Sequence, residues 1–264
     1  MEHRPLASLT VPVIGMGTSK TFDIPEVDAV RQAVTDVALD NGANFVDSSP
    51  MYGHAERILG ATLGARRVEA IVATKVWTPD DDEADRQIDA SLDFYGGHVE
   101  VFQVHNLVAW PTRLDQLERR RDSGAIGVVA ATHWREAEFD ELQTVMRTGR
   151  IGAIQVPYNP QERAVEERVF PLAQELGIGV ILMRPFAAGG LVRRSPSAAQ
   201  LAPLADFGVT TWSHALLKYG LSHPATSVSI PATTRPERMV ENAAAGDGPW
   251  FGPEEKVLVE RLAS

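Results

Sequence analysis

The chain has 264 residues, 44% of them hydrophobic and 23% charged, with a formal net charge of −10 and no cysteine. Such a length suits the roughly 250 residues of one α/β barrel, and the composition suits a globular chain with a substantial core. The negative charge argues against phosphate-backbone or anionic-membrane binding as the main activity while allowing a local basic pocket, and the missing cysteine excludes disulfides, iron–sulfur clusters and thiolate zinc sites.

In chain order, short apolar runs alternate with longer segments of helical period. The runs at Val13–Met16, Asn44–Asp47, Ala70–Lys75 and Val99–His105 are followed by predicted helices over Pro25–Asp40, Ala55–Leu63, Asp81–Phe94 and Pro111–Ser123. Those at Gly127–Ala131, Ala153–Val156, Gly179–Met183 and Ala225–Ile230 are followed by helices over Glu136–Arg147, Ala164–Leu176, Thr210–Leu221 and Pro236–Ala245. Nearly continuous hydrophobicity is what parallel strands covered on both faces require. Pro25 suits a first helical turn, and Asn41-Gly42 suits a left-handed stop. Asp80 to Glu83 and Arg119 to Arg121 read as charges complementing helix ends. The stretch from Gly189 to Pro203 reads as a long loop.

Eight strand–helix repeats give a closed barrel or a doubly wound sheet. Polar residues end several different strands, which favours the barrel, and after Gly15-Met16-Gly17 the third glycine of a dinucleotide fingerprint is replaced by Lys20. The expectation is a (β/α)8 TIM barrel forming a single domain over residues 1–264. The opening MEHRPLASLTVPVIG lacks the pattern of a signal peptide, and no run reaches the roughly 20 apolar residues of a membrane span. A cytoplasmic protein is expected, which the lack of cysteine also fits.

Asp47, Lys75 and His105 close strands two, three and four, and Tyr52 follows Asp47 in a loop shaped by Pro50 and Gly53. A strand-end lysine or a lone histidine has bland explanations; four such residues converging on one rim do not share one. The segments carrying them, from Asn41 to Asp47, Tyr52 to Gly60, Ala73 to Trp77 and Gln103 to Asn106, resemble the aldo-keto reductases. The resemblance runs from about Val13 through Asn242. It implies that Asp47, Tyr52, Lys75 and His105 form the catalytic tetrad of a carbonyl reductase.

The four residue types suit that chemistry. Reduction of a carbonyl leaves a developing alkoxide that must be protonated, and a neighbouring ammonium makes a phenol a better acid. Lys75 would supply the ammonium, Asp47 would orient it, and a neutral His105 would hydrogen-bond the substrate oxygen. No metal is needed, and the histidines lack paired ligand spacing.

For the cofactor, the resemblance implies nicotinamide contacts from Thr132, His133 and Gln155, with Thr132-His133 replacing the family's usual Ser-Asn. Met183 stands where an aromatic commonly stacks on the nicotinamide, and Arg184 and Phe186 follow it. Ala187 and Gly189 would bring small residues to the pyrophosphate, or form a plain flexible loop. Thr233, Thr234, Arg235 and Arg238 would hold the adenosine phosphate at a helix N-terminus, with Glu241 and Asn242 at adenine. This favours NADPH and leaves NADH open, because the family's frequent lysine is Ala232. Met16, Met51, Trp77, Asn106 and Trp110 are the expected substrate walls. The partner is a small carbonyl compound accepted by an open site, in a monomer or weak homo-oligomer. The alternative is a nicotinamide-binding regulatory subunit with little turnover, which lacks support in any assembly-like segment.

Overall fold

The computed structural model describes residues 1–264. It opens with an antiparallel hairpin, β1 (His3–Leu6) and β2 (Leu9–Pro12), which lies outside the expected repeats. Eight parallel strands follow: β3 (Met16–Gly17), β4 (Phe45–Asp47), β5 (Ile71–Val76), β6 (Val99–His105), β7 (Ile126–Thr132), β8 (Ala153–Pro157), β9 (Gly179–Met183) and β10 (Val228–Ser229). They pair in sequence order from β3 to β10. The two ends then join. Ile14 and Gly17 bridge in parallel to Ser229 and Ala232, and the Gly15 amide donates to the Ser229 carbonyl at 2.8 Å. At this seam a Cβ on Gly15 would run into the Phe45 carbonyl oxygen, and one on Gly17 would lie 2.8 Å from that of Ile230. Only glycine lets the first strand approach both neighbours so closely.

Helices clothe the outside: α1 (Ala29–Asp40), α2 (Ala55–Leu63), α3 (Asp81–Phe94), α4 (Trp110–Asp122), α5 (Phe139–Arg147) and α6 (Val165–Leu176). The second part continues with α7 (Ala198–Leu201), α8 (Trp212–Leu221), α9 (Pro236–Ala244) and α10 (Pro253–Leu262). Each expected strand and helix is present, and the (β/α)8 architecture is as the sequence implied. None of the helices is long and apolar enough to cross a membrane.

Three local expectations need correction. Helix α1 starts at Ala29, not Pro25, because the Asp28 carboxylate caps it by accepting the Arg31 amide at 2.8 Å. The stretch after Gly189 is not all loop: Ser197 and Gln200 form a reciprocal capping box that starts α7. Helix α10 is additional to the expected set, although Pro253, Glu254 and Glu255 make a good first turn. The charge runs behave as expected. Asp80 caps α3, with Asp81, Asp82 and Glu83 in its first turn, and Arg119, Arg120 and Arg121 lie in the last turn of α4.

Burial separates two apolar layers. The larger lies between strands and helices and contains 60 buried residues. The smaller fills the barrel interior, where Phe45, Ala73, Val101, Ala130, Ala153, Ile181 and Val228 pack on Leu6 and Val11 of the hairpin. The hairpin thus plugs the N-terminal end. Side chains two residues further along the same strands emerge at the opposite end, where β4 contributes Asp47, β5 Lys75, β6 Gln103 and β8 Gln155.

Candidate active site

Asp47 and Lys75 form a sealed ion pair beneath the upper rim. Lys75 Nζ donates to Asp47 Oδ2 at 2.7 Å and to the Ser48 carbonyl at 2.8 Å, with side-chain exposures of 0% and 3% for Lys75 and Asp47. Asp47 Oδ1 accepts from Gln155 Nε2 at 2.8 Å and Gln103 Nε2 at 3.1 Å. A carboxylate removed from water is tolerated only with such compensation, and here three N–H donors supply it.

Tyr52 ends a single 3-10 turn, Pro50–Tyr52, that Ser49 caps by accepting the Met51 amide at 3.2 Å. Gly53 follows with φ of +64°, packed so tightly against Asp23 that a Cβ would strike its carboxylate. This local geometry turns the phenol back over the barrel. The centre of its ring is 5.2 Å from Lys75 Nζ, and the ring meets His105 edge-on with centroids 5.8 Å apart. His105 Nδ1 lies 2.9 Å from Ser49 Oγ. The four side chains from β4, the turn after it, β5 and β6 therefore meet at one mouth.

Burial raises the Tyr52 phenol above the ordinary tyrosine value, with the Lys75 charge pulling it back and the Asp47 charge adding to the rise. The sequence points to the lysine alone; desolvation outweighs it. Burial would drive Lys75 towards its neutral form, but the Asp47 and Tyr52 charges overcome it and hold the lysine above its usual range. Burial, with the Lys75 charge, pushes His105 down to about 2, so its ring is neutral at physiological pH.

Behind Lys75, Glu56 of α2 is buried and accepts hydrogen bonds from Thr74 and, at 2.8 Å, from Ser91. Burial raises it to about 7, against the opposing effect of those hydroxyls. A carboxyl with a raised folded-state value lends stability that is complete below about pH 4.5 and is lost as pH rises through about 7. Glu56→Gln is neutral throughout. Urea denaturation should find it equal to the parent at pH 4.5 and up to about 3 kcal/mol more stable at pH 8. Equal differences at both values would contradict the buried, raised carboxyl.

A cavity of about 680 Å³ opens above this cluster. Of the residues singled out from sequence, Asp47, Tyr52, His105, Gln155, Arg184, Phe186, Gly189, Thr233, Thr234, Arg238 and Asn242 line it, with Met51 and Asn106 on the wall nearest Tyr52. Lys75 lies underneath, reaching the cavity only through Asp47 and Tyr52. Thr132, paired in register with His105, and His133 are buried beside the rim, and His133 Nδ1 accepts the Arg135 amide at 3.1 Å.

Other side chains are directed elsewhere. Met16 is fully buried between barrel and helices, since the inward positions beside it are Gly15 and Gly17. Trp77 is exposed and absent from the lining, its backbone amide and carbonyl both bonded to Gln87 of α3. Trp110 begins α4 and donates its indole N–H to Glu141 at 2.9 Å. All three lie off the cavity lining, so the expected substrate wall shrinks to Met51 and Asn106.

Met183 packs against the interior cluster just below the lining. Arg184 does line the cavity, but its guanidinium is paired with Glu162 at 3.0 Å. Arg235 stands off the lining beside Glu237, and Glu241 is engaged by the Thr211 hydroxyl at 2.6 Å. Ala187 and Gly189 belong to a 3-10 turn whose amides bond internally to Arg184 and Phe186, so this segment offers the cavity small size more than free donors.

Sequence reasoning missed Ser49, Gln103, Ser19, Lys20 and Trp134. Gln103 carries a legible signal: it lies two residues before His105 on a buried strand, a polar residue on the inward face. Ser19 and Lys20 follow β3 and line the cavity, as any loop at that end of a barrel strand can.

Comparison with known proteins agrees with this architecture. The model of the aldo/keto reductase family matches residues 13–250. The chain belongs to that family and is, by that membership, an NAD(P)H-dependent oxidoreductase. It is 28% identical over 241 residues to the uncharacterized oxidoreductase YrpG of Bacillus subtilis, covering 78% of this chain and 74% of that protein. Aldo-keto reductase YhdN of the same organism is 25% identical over 221 residues, covering 72% of this chain and 63% of YhdN. Among solved structures, the holo form of aldo-keto reductase AKR11C1 from Bacillus halodurans superposes with a TM-score of 0.82 at 23% identity, covering 100% and 97% of the two chains. An aldo-keto reductase from Klebsiella pneumoniae, in complex with NADPH, gives 0.78 at 21% identity and covers 99% and 95%.

Proposed function

We propose that this chain, as one domain over residues 1–264, reduces aldehydes and ketones to alcohols with NADPH, using Tyr52 as the proton donor. The observation that carries the reading is the sealed Lys75–Asp47 pair under a cavity onto which Tyr52 and His105 open. NADPH supplies the hydride when bound. A substrate carbonyl received between the Tyr52 hydroxyl and His105 is polarised by both. As negative charge grows on the oxygen, Tyr52 gives up its proton, and the Lys75 ammonium stabilises the phenolate that forms. The raised value of the resting phenol keeps that proton in place at neutral pH. Asp47 keeps Lys75 charged and fixed.

The donor set of the cavity fits the cofactor. Gln155 directs its Nε2 to Asp47, which leaves its carbonyl oxygen on the cavity wall as an acceptor for a carboxamide. Thr132 and His133 flank that position. At the other end, Thr233 and Thr234 precede α9, and Arg238 lies in the first turn, exposed and outside any ion pair. A helix N-terminus with an uncommitted guanidinium suits a phosphate. The NADPH complex of the Klebsiella neighbour supports the same choice. Asn242, buried on the lining, is assigned to the adenine end.

Arg238→Ala is expected to weaken NADPH binding by roughly ten- to a hundredfold, the worth of a charge-assisted hydrogen bond, while leaving NADH nearly unchanged. Fluorescence titration with both cofactors checks it, and equal weakening of the two would remove the phosphate assignment. The function itself is tested by steady-state oxidation of NADPH with small aldehydes and bulky ketones. Turnover of several is the expected result. Cofactor binding without turnover of any would leave the regulatory reading in its place.

A further inference from the structure

Ser49 lies outside the four-residue cluster yet touches two of its members. It is fully buried, it caps the turn that carries Tyr52, and its Oγ is 2.9 Å from His105 Nδ1. A serine hydroxyl has one proton to give and two lone pairs. One lone pair is taken by the Met51 amide. A neutral imidazole carries one N–H, so the Ser49–His105 contact can be made in two ways. Either the hydroxyl donates to Nδ1 and the ring proton sits on Nε2, or Nδ1–H donates to the hydroxyl and the serine proton needs another acceptor. Ser49 Oγ has hydrogen-bond contacts only with Met51 and His105. The second arrangement would bury a donor without a partner, which is costly.

We infer that Ser49 is a positioning residue: by donating to Nδ1, it holds His105 as the Nε2–H tautomer, with that N–H turned to the cavity. The ring lines the cavity while Ser49 does not, so the edge away from Ser49 is the one a substrate meets. A carbonyl oxygen needs a donor there. With Nδ1 protonated instead, His105 would present a lone pair to the oxygen and repel it. Burial and the Lys75 charge keep the ring neutral, which makes the choice of nitrogen the remaining variable. The inference rests on the carbonyl-reductase reading for its consequence, but not for the tautomer itself.

The first test is nitrogen NMR of the histidine-labelled protein without cofactor, at neutral pH. The expected spectrum has His105 with a protonated Nε2 and an unprotonated, hydrogen-bonded Nδ1. A protonated Nδ1 in the wild-type protein overturns the inference, whether or not the protein turns over aldehydes. The second test is kinetic. Ser49→Ala should lower kcat by roughly ten- to a hundredfold with little change in NADPH binding, and Ser49→Thr, which restores the hydroxyl, should recover most of it. In a His105→Ala background, Ser49→Ala should cost nothing further. An equal loss in both backgrounds would assign Ser49 to the turn alone and sink the proposal. If wild-type protein reduces no carbonyl compound, the functional reading fails separately, and the NMR result still decides the tautomer.

Discussion

Tyr52→Phe is expected to lower the reductase rate by about 10² to 10⁴ while NADPH binds as before. The substitution keeps the ring and its edge-on contact with His105, removing only the oxygen. Carbonyl polarisation by His105 and the fixed geometry of the site remain, so some rate survives. What disappears is the donor poised where charge develops, an effect worth about 3–5.5 kcal/mol in the barrier. Cofactor affinity should hold, because the residues assigned to the adenosine phosphate lie at the far end of the cavity on Thr233, Thr234 and Arg238. The parent enzyme should also lose its reductive rate only in alkali, above the ordinary tyrosine range of about 10, since burial raises the phenol. Stopped-flow and steady-state rates across pH check both points. Undiminished turnover by the Tyr52→Phe variant would end the assignment of the proton donor.

Lys75→Met is expected to damage both folding and chemistry. The ammonium is the strongest of the three donors satisfying the Asp47 carboxylate, whose side chain is 3% exposed. Its removal strands a buried charge with only two amide donors, from Gln103 and Gln155. Breaking a buried pair in this way costs about 3–5 kcal/mol. The variant should therefore unfold more readily than the parent. It should also lose at least as much rate as Tyr52→Phe, because the forming phenolate has no counter-charge and Asp47 now opposes it. Urea denaturation at pH 5 and 8, with rates on a small aldehyde, measures both effects. Wild-type stability at each pH would mean the pair is not carrying charge in the interior.

The barrel was legible because each strand is apolar on both faces and each is bounded by helical periodicity; the strand list from sequence matches the observed strands to within a few residues. The cluster at its mouth was legible for a related reason. Asp47, Lys75 and His105 are polar residues ending apolar runs, and a parallel barrel gathers such ends on one rim. The substrate walls were not, because size does not give direction. Met16 is large and near the rim, yet strand alternation turns it outward; Trp110 is held by Glu141 of α5, and Trp77 lies off the cavity with its backbone tied to α3. The end assigned to the cofactor was legible as a motif only: sequence could not foresee that Thr211 occupies Glu241 or that Glu162 occupies Arg184. Ser49 was hidden for the opposite reason. Serine before proline is ordinary turn chemistry, and only coordinates reveal the imidazole beside it.

The seam between β3 and β10 has a consequence for biosynthesis. The residues it unites, Ile14 and Ser229, stand far apart in the chain, so the ring closes only after nearly all of the polypeptide has been made. Until then the nascent sheet carries two raw margins of unpaired amides and carbonyls, the feature through which strands recruit one another between molecules. Truncation before residue 228 should therefore yield insoluble material, not a smaller working barrel.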